Sequence, residues 1–245
     1  LLAVGAPEIT EAELTAALAE VQAEKQRSED LLKRMAPPQV IPRMLENKLL
    51  AQRLTATILF TDLKDFTSFS ANLEPDELFA QLNYFFSRAG ESVHKYRGYV
   101  NKTNGDAVMA LFGIPYENYT HPVDAVLAAL EIQSNLYKYS SLKMRIGINT
   151  GALTAGLLGP ENKYMYDVIG DAVNVASRME KICPPGSVTV AADTYALVAP
   201  YFEIVPLGEK EVKGKGRIPC YQILGVRKLG NDRLRIDETS IFYKT

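Results

Sequence analysis

The sequence predicts an α+β fold: a ferredoxin-like βαββαβ core with additional strands and helices, preceded by an N-terminal coiled-coil helix. Three observations predict it. Apolar periodicity switches between a strand pattern and a helix pattern in the order β-α-β-β-α-β between residues 55 and 149. Asn104-Gly105 stands between two short apolar runs, the strongest short-range signal for a hairpin. Leu14, Val21, Ser28 and Met35 recur every seven residues, interleaved with Leu18, Lys25 and Leu32.

The elements follow in order. Residues 1–9 are a lead-in. Thr10-Glu11-Ala12-Glu13 is a capping-box pattern, with a hydroxyl at N-cap and Glu three residues on. The helix it opens reaches Met35 and is stopped by Pro37-Pro38. Its seam is polar in the middle, at Lys25 and Ser28, which suits a parallel dimeric transmitter better than a permanent clamp. The alternative is a single amphipathic helix packed on the globular body. A short helix is expected over residues 38–50, within a transducing linker at 37–54. The globular domain spans 55–226. Residues 55–61 read as a strand and 75–97 as a helix with Pro75 in its first turn. The runs 98–103 and 106–112 form the hairpin, 121–138 a second amphipathic helix, and 143–149 a strand. A helix over 170–182, a short strand over 187–190 and a β-hairpin over 202–226 complete the domain, and 227–245 is a polar extension.

Composition narrows the function. Of the 245 residues, 47% are hydrophobic, enough for a sizeable core, and 27 basic against 29 acidic side chains leave a net charge of only -2. That balance argues against a nucleic-acid partner, which requires a basic surface. Cys183 and Cys220 are too few for a disulfide framework or a zinc site and fit a reducing, cytoplasmic setting for this portion. No run approaches the ~20 apolar residues of a membrane span. The chain opens on Leu1 rather than Met. An upstream module outside this fragment is therefore expected, either a sensor or a membrane span that would anchor the full-length protein.

Two carboxylates stand out. Asp62 closes the first strand in Phe60-Thr61-Asp62-Leu63, and Asp106 follows the hairpin turn in Asn104-Gly105-Asp106. In a βαββαβ core the first and third strands are antiparallel neighbours, so the two carboxylates meet at one sheet edge, where they suit a two-metal site for phosphoryl or nucleotidyl transfer. The loop Leu63-Lys64-Asp65-Phe66-Thr67 leads toward a helix, and backbone N–H groups at Phe66 and Thr67 are candidates for phosphate oxygens. Asp65 reads as a loop or helix cap rather than a third ligand. Beyond Gly170, Asp171, Asn174 and Arg178 share a helix face, an Asn and an Arg among Ala172, Val173, Val175, Ala176 and Met179. Asp171 reads as the cap of that helix. His94, His121 and Arg145 read as structural.

These motifs, taken in register, resemble the catalytic domain of the class III nucleotidyl cyclases. The resemblance rests on Phe60-Thr61-Asp62-Leu63, Lys102 through Ala110, Arg145 through Gly151, Tyr166 through Glu180 and Val212-Lys213-Gly214-Lys215-Gly216, and covers residues 55–225. It implies a head-to-tail homodimer with shared active sites. Asp62, Asp106 and the Leu63 carbonyl would hold two Mg²⁺ or Mn²⁺ ions. Asn174 would orient the ribose, and Arg178 would bear on the α-phosphate. Lys213, with Lys215 as second candidate, would reach the terminal phosphates. Lys102 and Asp167 would read the base: a donor and an acceptor match adenine N1 and its 6-amino group, whereas the guanylyl members resemble a Glu/Cys pair. The implied reaction is ATP to 3′,5′-cyclic AMP and pyrophosphate. Guanylyl cyclase and a catalytically silent nucleotide-binding regulatory partner are the alternatives. Ala152 departs from the pattern, since some members place a phosphate-reaching Arg there.

Overall fold

The structure is a computed structural model that describes residues 10–35, 40–41, 51–71, 73–115, 118–139, 142–160, 165–212 and 215–227. The chain divides into two compact units, residues Leu1–Leu50 with Leu157–Tyr166, and Ala51–Gly156 with Asp167–Thr245.

In the first unit, α1 (Glu11–Met35) begins as its capping box predicts. The Glu13 N–H donates to Thr10 Oγ1 at 3.3 Å, and the Thr10 N–H donates back to Glu13 Oε2 at 2.9 Å. Leu14, Leu18 and Val21, three residues of the predicted seam, are exposed. Pro37-Pro38, the helix expected over 38–50 except Val40 and Ile41, and the extension beyond Arg227 lie outside the described residues.

The remaining elements belong to the second unit, apart from Leu157–Leu158 and Met165–Tyr166, which fall in the first: β1 (Gln52–Leu63), α2 (Phe66–Ser70), α3 (Pro75–Lys95), β2 (Gly98–Asn104), β3 (Ala107–Phe112), α4 (His121–Tyr139), β4 (Met144–Leu158), β5 (Met165–Ile169), α5 (Asp171–Ile182), β6 (Ser187–Ala191), α6 (Ala192–Val198), β7 (Phe202–Val212) and β8 (Gly216–Val226). The sheet order is β2-β3-β1-β4-β6-β8-β7, with β5 pairing β4 off that path. The segment β2-β3-β1-β4, with α3 and α4 as its crossovers, is the predicted ferredoxin-like core. β6 extends it parallel to β4, and the β7–β8 hairpin adds two antiparallel strands.

Side-chain alternation sorts the two faces of the sheet. Leu59, Leu63, Met144, Ile146 and Ile148 pack in the main core with Phe85, Ala89 and Val93 of α3 and the buried residues of α4. The intervening positions turn to α5. A Cβ on Gly147 would fall 1.9 Å from the Glu180 backbone nitrogen, so only glycine lets α5 lie this close to β4. The Asn149 amide donates to the Ala172 carbonyl at 3.1 Å and fixes the start of the same helix. At the other end of the core, Gly105 makes the β2–β3 turn with φ 60°, the left-handed conformation that the Asn-Gly signal predicts.

Several elements differ from expectation. β4 runs to Leu158 rather than ending at 149, because its second half carries glycines and small residues where an apolar run was sought. β5, α2 and α6 were not anticipated. α6 has only 7 residues and is held by packing: Thr194 and Val198 are buried, and the Tyr195 ring stacks on Tyr221 with centroids 3.9 Å apart. Short helices lack intrinsic stability and leave little periodic signal.

Candidate active site

The structure brings the predicted site residues together in three groups. The first lies at the end of β1. Pairing of Thr61 with Val108 sets the β2–β3 turn beside the last residues of β1. The Leu63 N–H donates to Asp106 Oδ2 at 3.0 Å, which ties the turn carboxylate to the strand that carries Asp62. Burial holds the Asp106 carboxyl above its ordinary range, opposed by the Leu63 N–H, and the neighbouring Asp62 charge adds to the rise. Two mutually repelling carboxylates beside a backbone carbonyl form an all-oxygen donor set, the kind that hard divalent cations take. A cation there relieves the repulsion, so the residues fit Mg²⁺ or Mn²⁺. Among the described residues no cluster of three or more His, Cys, Asp or Glu side chains offers an alternative metal site.

The second group is Lys102 and Asp167. Lys102 sits on β2 at an irregularity in its pairing with β3, and Asp167 sits on β5. The Lys102 ammonium donates to Asp167 Oδ2 at 2.6 Å. Val168 N–H donates to the other Asp167 oxygen at 2.8 Å and orients the carboxylate.

The third group lies on α5. Asn174 is exposed and Arg178 half-buried, whereas Ala172, Val175, Ala176 and Met179 are buried. The two polar residues therefore do not share the apolar face, as the sequence suggested, but stand on the opposite side of the helix, available to a ligand. Asp171 does not cap this helix: Gly170 occupies the N-cap position without a side-chain bond, and the Asp171 carboxylate pairs with Lys215 instead. The carboxylate is one residue too far along the chain to reach back to the free N–H groups.

The phosphate loop is present in part. Asp65 takes the N-cap position of α2 with φ 61°, and its main-chain oxygen accepts from the Ser68 and Phe69 N–H groups at 3.1 Å each. Its side chain does not cap the helix and pairs with Lys64. Phe66 and Thr67 form the first turn of α2. Lys213 lies outside the described residues. Ala152 is exposed on β4.

Two further charged residues, Arg145 and Glu180, join the first group. Arg145 lies inside β4, directly across the β1–β4 ladder from Asp62, and its guanidinium Nη2 bonds Asp62 Oδ2. The same Nη2 stands 3.1 Å from Glu180 Oε1 on the buried side of α5. Burial pushes the Glu180 carboxyl up to about 7, with Arg145 opposing and the Asp62 charge adding. The available signal was the strand register. Once β1 and β4 are paired, Arg145 cannot avoid Asp62. His121, in contrast, is structural as expected, its Nδ1 bonded to Thr57 Oγ1 at 2.7 Å.

A mixed sheet presenting a carboxylate pair at one edge, a lysine–aspartate pair on two other strands and an Asn/Arg helix defines a nucleotidyl cyclase catalytic domain. The chain belongs to the family described as the adenylate and guanylate cyclase catalytic domain, whose model matches residues 51–225. It is 32% identical over 220 residues to an adenylate cyclase of Mycobacterium tuberculosis, covering 86% of this chain and 49% of that protein. It is 33% identical over 210 residues to the guanylate cyclase soluble subunit beta-2 of Rattus norvegicus, covering 82% of this chain and 31% of that one. The chain thus spans less than half the length of these relatives. Among solved structures, the adenylyl cyclase CyaB from P. aeruginosa superposes with a TM-score of 0.71 at 31% identity, covering 74% of this chain and all of that one. Among the described residues no helix is long and apolar enough to cross a membrane.

Proposed function

We propose that this domain is an adenylyl cyclase that converts ATP to 3′,5′-cyclic AMP and pyrophosphate in a homodimer with shared active sites. The observation that carries the choice of base is the contact between the Lys102 ammonium and Asp167 Oδ2 at 2.6 Å. A donor and an acceptor held side by side complement the adenine N1 and 6-amino edge. Guanine reverses both polarities, and each mispaired buried group costs roughly 1–3 kcal/mol.

Asp62, Asp106 and the Leu63 carbonyl would hold the divalent cations, two per site, and those ions would supply acidification of the ribose 3′-hydroxyl and neutralisation of the triphosphate. Asn174 fixes the ribose so that the 3′-oxygen faces the α-phosphorus. As the new O–P bond forms and the bond to the pyrophosphate leaving group breaks, Arg178 stabilises the charge on the α-phosphate oxygens. Phe66 and Thr67 main-chain N–H groups and Lys213 steady the remaining phosphates. The 3′-hydroxyl is the nucleophile, so no protein nucleophile is required. In each site the carboxylate group comes from one protomer, and Lys102, Asp167, Asn174 and Arg178 come from the other. A parallel coiled coil through α1 sets the relation of the two catalytic domains. Deleting residues 1–36 should therefore change activity or dimer affinity; unchanged values of both would remove that role.

The direct test is a product assay with ATP and GTP under Mg²⁺ and Mn²⁺. Cyclic AMP formed in preference to cyclic GMP supports the reading. Preferential cyclic GMP would make the domain a guanylyl cyclase, and nucleotide binding without turnover would make it a silent partner.

A further inference from the structure

The Asp62–Arg145–Glu180 chain sits at the carboxylate pair. Asp62 and Arg145 are cross-strand partners on the β1–β4 ladder, on the sheet face covered by α5. Their side chains are 27% and 25% exposed, and that of Glu180 is 9% exposed. Three carboxylates, Asp62, Asp106 and Glu180, surround one guanidinium. That guanidinium is half used. Arg145 Nε and Glu180 Oε1 are both buried without a hydrogen-bond partner, although Nη2 lies 3.1 Å from the same Oε1. An arginine offers a planar fork of five N–H donors, and a buried charged donor facing a buried unfilled acceptor is a costly arrangement unless a second one is in reach. Turning that fork from Asp62 onto Glu180 would offer the orphaned Glu180 oxygen a donor.

We propose that Arg145 is a positioning residue with two stations: on Asp62 its guanidinium stands in for a cation at the carboxylate pair, and on Glu180 it leaves Asp62 open to a divalent metal. The inference rests on the reading of Asp62 and Asp106 as metal ligands. Its content is that Arg145 opposes metal binding and Glu180 favours it by offering the guanidinium somewhere else to go. Fixed charges alone give the same two signs as independent effects, whereas two stations predict that Glu180→Gln loses most of its effect on Mn²⁺ binding in an Arg145→Met background; equal effects of Glu180→Gln with and without Arg145 overturn the stations.

The test is Mn²⁺ binding to the full chain without nucleotide, read by the electron paramagnetic resonance signal of free Mn²⁺. Circular dichroism confirms that each variant is folded. Removing an opposing charge at this distance should tighten binding by about tenfold in Arg145→Met. Glu180→Gln, which keeps shape and hydrogen bonding, should weaken it by about three- to tenfold, as the guanidinium stays on Asp62. Binding in Arg145→Met equal to or weaker than in the wild type overturns the proposal. So does unchanged binding in Glu180→Gln, the variant that decides if Arg145→Met does not fold. Asp62→Asn separates the two readings: if it binds Mn²⁺ as the wild type does, the metal site itself is wrong and the stations fall with it.

Discussion

Two side-chain clusters lie on the same pair of strands, and they could hardly be more different. Midway along the β1–β4 ladder, Thr57 faces Thr150. Their hydroxyls bond at 2.7 Å, Thr194 donates to Thr150 at 3.0 Å, and Thr57 also meets His121 Nδ1 at 2.7 Å. The three threonines are buried, and the cluster is neutral and linked throughout. Five residues along, on the opposite face, Asp62 meets Arg145, with Asp106 and Glu180 nearby. That cluster is charged, partly open and has orphaned atoms. The threonine chain satisfies every hydroxyl and has nothing left to offer a ligand. The carboxylate cluster keeps excess negative charge in a partly desolvated place, an arrangement that stabilises poorly but binds cations well. The difference separates polar groups that build the fold from polar groups left with the capacity to bind a cation.

The largest expected effect breaks the charged end. Asp106→Ala should lower cyclase turnover by about a thousandfold or more while the chain stays folded, because it removes a ligand worth several kcal/mol at the transition state. Mixing Asp106→Ala with Arg178→Ala chains should restore roughly a quarter of wild-type turnover, since random pairing makes half the dimers mixed and each has one intact site. No recovery in the cyclase assay excludes shared sites.

The next effect is on stability against pH, measured by urea unfolding with EDTA present. The folded-state pKa of Glu180 is raised from 4.5 to about 7. The folded chain therefore binds more protons than the unfolded one in that window. The associated stability is complete below the unfolded pKa and is lost as pH rises through about 7, at most about 3 kcal/mol. Glu180→Gln should flatten this fall; an unchanged slope would show that the carboxyl is not perturbed.

The neutral cluster should respond in stability rather than turnover. Thr57→Val leaves His121 Nδ1 without its bond and cuts the link to Thr150, so unfolding free energy should drop by about 1–3 kcal/mol with turnover per folded enzyme unchanged. Lost turnover at full stability would erase the distinction between the clusters. The smallest effect is the His121 titration. Burial lowers its pKa below 6.5, so its contribution is complete above that value and lost on acidification, opposite in sign to Glu180. Replacing His121 with Asn should remove that acid limb alone.

Much of this molecule was legible before any coordinates. The Thr10 capping box, the Asn104-Gly105 turn and the two amphipathic helices depend on neighbours within a few residues, and local chemistry decides them. Asp62 and Asp106 were legible because a βαββαβ order dictates which strand ends meet. Lys102 and Asp167 were legible only as members of motifs, and their direct contact came with the fold. β5 and α6 escaped because packing, not periodicity, holds them. Arg145 was dismissed because its position before an apolar run is uninformative until β1 and β4 are in register. Glu180 hid in the same helix as Asn174 and Arg178, one turn face away from them.

By itself, then, the sequence determined the order of elements, the core-facing side chains and the residue types that nucleotide chemistry needs, since each is written in short-range pattern. Tertiary structure alone decided which charges share a space. Asp62 and Arg145 stand 83 residues apart in the chain, and only strand pairing, together with the close approach of α5 at Gly147, sets the guanidinium between two carboxylates. Electrostatic energy depends on that separation in space, which no local pattern encodes.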